Sequence, residues 1–215
     1  MDIQTYFVTE KISRLQKSAI SLKRKALLPL LLLPGSDSET RRVHVYTHTG
    51  SGWKQTDSLS AQQDVWYYGN SIKLQQNRLA VSARSEDGTR DMIFVYSLDA
   101  SSGKWIKDGG VIFPLGAPSA NSELPAGVSI CNDVVFVSVS DRESHPDVVA
   151  VGYTKVVQET GNVMWMEHIA LTTHNDPLLN DQYNVIVGCH GNTVLVTRIS
   201  RHDIGAVYEF DISPN

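Results

Sequence analysis

A hairpin pattern recurs along this chain at nearly regular intervals. The stretch "VYTHTGSGWK" begins at residue 45, and "VYSLDASSGKW", which has the same plan, begins at residue 95. The tyrosine of this pattern occurs four times, 50, 57 and 55 residues apart, and a glycine and then a tryptophan follow three of the four. The tyrosines are Tyr46, Tyr96, Tyr153 and Tyr208, and the tryptophans are Trp53, Trp105 and Trp165. A repeat of this length predicts stacked copies of one supersecondary unit.

Each copy is expected to contain four short β-strands, which we call a, b, c and d. In the clearest copy they are "SIKL" (71–74), "RLAVSA" (78–83), "MIFVYSL" (92–98) and "KWIKDGGVIF" (104–113). Strands b are apolar on both faces, which is typical of sheets that pack against neighbours on either side. Four strands in a unit of this length predict an all-β, β-propeller-like array of about four four-stranded blades. The approximate units are 18–67, 68–125, 126–182 and 183–215.

The pattern resembles the FG-GAP (integrin α-type) β-propeller repeat, in degenerate form. Tyr68-Gly69, the small pair Ser82-Ala83, the strand "MIFVY" and Trp105 carry the resemblance best, and "GAVYEF" (205–210) is the closest single string. The resemblance covers residues 43–212, and implies a ligand-binding propeller in an extracellular or membrane-associated setting. Many members carry a calcium loop between strands a and b, but the turns here are too short and lack enough oxygen ligands, so no metal or other cofactor is expected.

The first 35 residues admit more than one interpretation. Segment 1–17 is expected to be either a short helix or a closing strand, because "QTYFVTEKI" (4–12) would supply the strand d that the last unit lacks. The leucine-rich run in "KRKALLPLLLLPG" (23–35) reads either as part of a targeting segment or as strand b of a first repeat, although Pro29 disfavours a strand interior. The run is shorter than the roughly 20 residues that cross a bilayer, so no transmembrane span is expected. The propeller either closes with four blades or belongs to a larger ring that needs another chain.

Charge and cysteine content narrow the function classes. With a net charge of −4, the chain lacks the excess of basic residues that is typical of nucleic-acid-binding proteins. Two cysteines cannot form a disulfide framework, and adjacent blades are expected to hold Cys131 and Cys189 too far apart to pair, so free thiols are predicted. No nucleophile elbow, phosphate-binding loop or zinc motif is present, which favours a protein that is not an enzyme.

The candidate binding residues lie in two kinds of loop. The b–c loops, "RSEDGTRD" (84–91) and its counterparts, are strongly charged, and the d–a loop "SAQQDVWYYGN" (60–70) carries adjacent aromatics. These features predict a non-catalytic module that binds a protein or carbohydrate partner through one face. The alternatives are a polysaccharide hydrolase or lyase that uses acidic and histidine residues of the b–c loops, and a fragment of a larger propeller without independent function. The binding candidates are Trp66, Tyr67, Glu86, Asp87, Arg142, Glu143, His145 and His202.

Overall fold

The computed structural model describes residues 30–34, 42–49, 51–61, 64–114, 127–139, 148–173, 182–200 and 206–213. Within these ranges the chain forms β-strands and turns and no helix, so the all-β prediction is confirmed. The strands are β1 Leu30–Pro34, β2 Arg42–Thr49, β3 Gly52–Ser60, β4 Val65–Trp66, β5 Ile72–Gln75, β6 Arg78–Ser85, β7 Asp91–Leu98, β8 Trp105–Lys107, β9 Val128–Cys131, β10 Val134–Ser138, β11 Val148–Val157, β12 Val163–Thr172, β13 Gln182–His190, β14 Thr193–Ser200 and β15 Ala206–Asp211.

These strands form four antiparallel sheets in which strands consecutive in the chain are mostly neighbours. The first sheet has the order β1-β2-β3, the third β9-β10-β11-β12 and the fourth β13-β14-β15. In the second sheet β6, β7 and β8 follow in order, while β5 and β4 both pair with β6. Closing the short loop of a hairpin costs little conformational entropy. Short strands separated by turn residues therefore pair with the next strand in the chain.

Tight turns connect β5 to β6, β9 to β10 and β13 to β14. Each is a two-residue loop, and its first residue, Gln76, Asn132 or Gly191, has a φ of 55°, 53° or 57°. A positive φ at this position gives the turn the twist of the flanking strands. These three predicted a–b turns therefore have a left-handed residue at the same position, although it is glycine in only one of them. The turn predicted for the first unit lies outside the described residues.

Alternate residues of the inner strands bury two different faces. In β6, Leu79 and Val81 pack in a cluster with side chains of the first sheet, such as Val43, whereas Ala80 packs in a cluster with the third sheet. In β10, Val135 faces the second sheet, and Phe136 joins a cluster with the fourth. Both faces of the second and third sheets are thus covered, which explains why their b strands lack the alternation of a half-exposed strand.

The repeated aromatics occupy matching places in these junctions. Tyr96 and Trp105 are buried in the cluster between the first and second sheets, and Tyr153 and Trp165 in the cluster between the second and third. Trp165 also donates from Nε1 to the Asp108 carbonyl oxygen, at 2.8 Å, in the preceding sheet. The tyrosine and tryptophan that define the sequence repeat therefore join each of these sheets to the one before it.

The predicted strand d at 104–113 is interrupted. After β8 the chain leaves the sheet and returns where Ile93 and Ile112 exchange backbone hydrogen bonds of 2.9 and 3.0 Å. Gly109 lies in the gap with φ 88°, and a Cβ there would be 2.6 Å from Cγ1 of Val163. The break lets the backbone approach the next sheet closely, where a side chain would not fit.

Cys131 and Cys189 form a disulfide, so the prediction of two free thiols is wrong. Their Cα atoms are 5.7 Å apart, within the range a disulfide spans. Cys131 ends β9 and belongs to the cluster shared with the fourth sheet, and Cys189 in β13 packs against the same cluster. The prediction failed because the two cysteines project toward each other from neighbouring strands, rather than from equal positions in two separated turns.

Segment 1–17, predicted as a closing strand or a short helix, lies outside the described residues. Of the stretch 23–35, for which a targeting segment is one interpretation, the structure describes only residues 30–34. The leucine-rich run contributes β1, which begins just after Pro29 and pairs with β2. In the described part of the chain, no helix is long and apolar enough to cross a membrane.

Candidate binding surface beside β4

Two adjacent aromatic side chains, Trp66 and Tyr67, are held in solvent between two buried anchors. Val65 and Tyr68 are buried, whereas Trp66 is 45% and Tyr67 51% exposed. Tyr67 has a φ of 55°, an uncommon conformation for a bulky residue, and its carbonyl accepts a 3.0 Å hydrogen bond from Asn70 N. Backbone strain of this kind persists only where the surroundings fix it, and it is concentrated at functional sites.

The buried side chain of Tyr68 holds the backbone of the two exposed aromatics in place. Its hydroxyl lies 2.7 Å from that of Tyr96, which donates in turn to the Ser60 carbonyl at 3.1 Å. The ring also contacts Phe94 edge-on, with centroids 5.5 Å apart. Burial, followed by the neighbouring Tyr96, raises the pKa of Tyr68, so the phenol stays protonated and keeps its hydrogen bond.

A charged hairpin, closed by side-chain hydrogen bonds at its tip, lies beside Trp66. At its tip the Asp87 carboxylate accepts hydrogen bonds from the Ser85 hydroxyl at 2.5 Å, Thr89 N at 3.0 Å and the Thr89 hydroxyl at 2.8 Å. These bonds, led by that from Ser85, lower the pKa of Asp87 to about 2. The ionised Asp87 therefore stabilises the turn. Its low pKa makes it a poor general acid or base near neutral pH.

The hairpin and β4 are joined at the base. Trp66 pairs in register with Arg84, whose guanidinium forms a buried ion pair with Asp91, with Nε and Oδ1 2.9 Å apart. A Cβ placed on Gly88 would lie 3.9 Å from Cζ3 of Trp66, so the indole lies against the tip of the hairpin. We call Trp66, Tyr67 and the loop 86–90 the aromatic–hairpin surface.

Four of the eight predicted binding residues come together in this surface. Trp66, Tyr67, Glu86 and Asp87 belong to it, with both carboxylate residues exposed at the tip. The other four, Arg142, Glu143, His145 and His202, lie outside the described residues. Sequence reasoning missed the part played by Gly88, although "SEDGT" has the composition of a turn braced by an aspartate.

Neither a metal site nor a match to a known protein accompanies this surface. Among the residues that the structure describes, no group of three or more histidine, cysteine, aspartate or glutamate side chains is placed to hold a metal ion. Comparison of the chain with protein-family models, curated proteins and solved structures finds no match.

Proposed function

We propose that this chain is a non-catalytic, β-propeller-like interaction module that binds a protein or carbohydrate partner through the aromatic–hairpin surface. The observation that carries the proposal is the pair Trp66 and Tyr67, held half exposed on a braced backbone. Exposed apolar patches bordered by polar residues mark interaction sites, and tryptophan and tyrosine are enriched among the residues that dominate binding energy at interfaces.

The rigidity of the surface supports the same proposal. Tyr68 anchors the backbone on one side, and hydrogen bonds to Asp87 order the loop on the other, so little backbone freedom in the loop is lost when a partner docks. Binding to such a preorganised surface avoids much of the entropy that ordering a loop would cost. The surface therefore has the properties of a docking site, with an aromatic centre and a polar rim.

The propeller-like arrangement is part of the proposal. It rests on the order of strands in each sheet, on the clusters that join the second sheet to the first and third and the third to the fourth, and on the FG-GAP-like pattern. The alternative of a polysaccharide hydrolase or lyase requires two carboxylates that face each other across a cleft. Within the aromatic–hairpin surface the Asp87 carboxylate is already hydrogen-bonded to its own turn, so it gives the hydrolase alternative no support.

The test measures binding by the intact protein to a glycan array and, in parallel, to an array of protein ectodomains. Trp66→Ala/Tyr67→Ala should lower the signal for the specific binder by at least about 100-fold, because central aromatics each contribute about 2 kcal/mol or more. The melting temperature should change little, since both side chains are exposed.

The matched control is Phe113→Ala, which removes an equally exposed aromatic outside the surface. Binding that survives the double substitution, or is lost equally in the control, contradicts the proposed site. Turnover of any arrayed glycan that Glu86→Gln abolishes would favour the hydrolase alternative instead.

A further inference from the structure

The first and last sheets each leave open a face of the kind that is buried within the stack. Trp105 and Trp165, which follow the repeated tyrosine in the second and third sheets, are each 9% exposed because they pack on the preceding sheet. Trp53 holds the matching place in the first sheet and is 47% exposed. At the other end, Val207 of β15 is 64% exposed. In the part of the chain that the structure describes, no strand packs on either face.

The open face of the first sheet is defined by strand alternation. Val43 and Val45 of β2 point to the second sheet, so His44, Tyr46 and His48 point the other way. His48 pairs in register with Trp53, and the two rings are in edge contact with centroids 5.3 Å apart. We call Tyr46, His48 and Trp53 the leading face.

The open face of the fourth sheet is defined in the same way. Phe210 of β15 packs toward the third sheet, so Val207 and Glu209 point outward. Leu195 of β14 pairs with Glu209 and shares this side. We call Leu195, Val207 and Glu209 the trailing face.

The internal junction between the second and third sheets indicates how these faces would fit. There Lys155, the register partner of Trp165, binds Asp108 with Nζ and Oδ1 2.5 Å apart, and Ser97 donates to Oδ2 of the same carboxylate at 2.6 Å. His48 is the register partner of Trp53, as Lys155 is of Trp165, and Glu209 follows Tyr208 as Ser97 follows Tyr96. An imidazole donor would thus meet a carboxylate acceptor beside the exposed tryptophan.

We propose that the leading face of one chain docks on the trailing face of a second copy, with His48 beside Glu209 and Trp53 buried at the centre. Such a contact joins two different surfaces, so it continues until the rotation closes a ring. Two chains would bring eight sheets together, at the upper end of the range that propellers adopt. The contact lies apart from the aromatic–hairpin surface and does not depend on its function.

Charge exchange across the contact supplies the test, measured by sedimentation of the full chain over a concentration series. The wild type should associate, and His48→Asp or Glu209→Lys alone should weaken association by at least about tenfold. His48→Asp places two carboxylates together, and Glu209→Lys removes the carboxylate that accepts from the imidazole. The double variant His48→Asp/Glu209→Lys should restore it. Ile106→Ala, an exposed apolar residue of the second sheet, is the control and should leave association unchanged.

Cross-linking distinguishes a second copy from closure within one chain. When His48→Cys and Glu209→Cys proteins are mixed, a disulfide-linked dimer should form that neither variant forms alone. A wild type that stays monomeric at every concentration overturns the proposal, as does a linkage that forms only within a chain carrying both cysteines. Association that neither charge variant weakens overturns it as well, because the dimer would then use other surfaces.

Discussion

The disulfide between the third and fourth sheets should make a large contribution to stability. Cys131 and Cys189 are 58 residues apart in sequence, and a cross-link closing a loop of that length removes about 4 kcal/mol of conformational entropy from the unfolded chain. Native domains are stable by only about 5–15 kcal/mol, so the bond accounts for a sizeable fraction of the total. For a chain of this size, its loss should lower the melting temperature by about 10 °C.

The measurement compares urea unfolding of the oxidised protein, the reduced protein and Cys131→Ala/Cys189→Ala. The free energy of unfolding should fall by about 4 kcal/mol on reduction and by a similar amount in the double variant. The reasoning is refuted if reduction leaves the unfolding midpoint unchanged. It is also refuted if a thiol-alkylating reagent labels both cysteines of the unfolded, unreduced protein, as judged by mass.

Three further predictions address packing, charge and the repeat. Gly152→Ala should cost about 1–3 kcal/mol in urea unfolding, because the added Cβ would meet side-chain atoms at 2.6 to 2.8 Å, whereas Gly110→Ala should cost little. The pKa of Asp87 in the folded protein is about 2, below its ordinary 3.8, because the carboxylate accepts the hydrogen bonds of the turn. The stability that these bonds give the hairpin should therefore be complete above pH 3.8 and be lost as the pH falls through about 2. A midpoint near 3.8 in the NMR shifts of the hairpin amides would contradict this. Ser82→Ala and Ser138→Ala should each cost about 1 kcal/mol in chemical denaturation, since each hydroxyl accepts a part-buried hydrogen bond from a backbone N–H, at 2.9 Å from Ser71 and 2.8 Å from Gly127. Clearly unequal costs would argue against equivalent units.

Much of the strand layout could be predicted from the sequence because its determinants are local. The segments "SIKL", "RLAVSA" and "MIFVYSL" correspond to β5, β6 and β7, since turn residues and apolar content decide where a short strand begins and ends. Strand d, predicted to run without a break from 104 to 113, is interrupted, because the backbone at Gly109 lies against Val163 of the next sheet. That contact lies between sheets, and the pattern of a single unit contains no information about it.

The candidate surface was only partly predictable for the same reason. The neighbouring aromatics and the charged loop stand out in the sequence, and the structure places Trp66 beside the hairpin tip. The left-handed conformation of Tyr67 could not be predicted, because tyrosine rarely adopts it and no glycine or asparagine in the sequence marks the position. The error over Cys131 and Cys189 has a similar origin, since the register between two sheets decides which side chains meet.

A stack of two-faced sheets has a problem at its ends that its interior does not have. The second and third sheets bury both faces because a neighbour lies on each side, and their sequences are apolar on both faces accordingly. An end sheet of a self-contained stack would be expected to carry a polar outer face, as the capping repeats of repeat proteins do. The first sheet instead keeps an aromatic at the junction position, and Trp53 remains half exposed. A solvent-facing cap gains nothing from a tryptophan at this position, whereas at the internal junctions the equivalent tryptophans are buried against the neighbouring sheet.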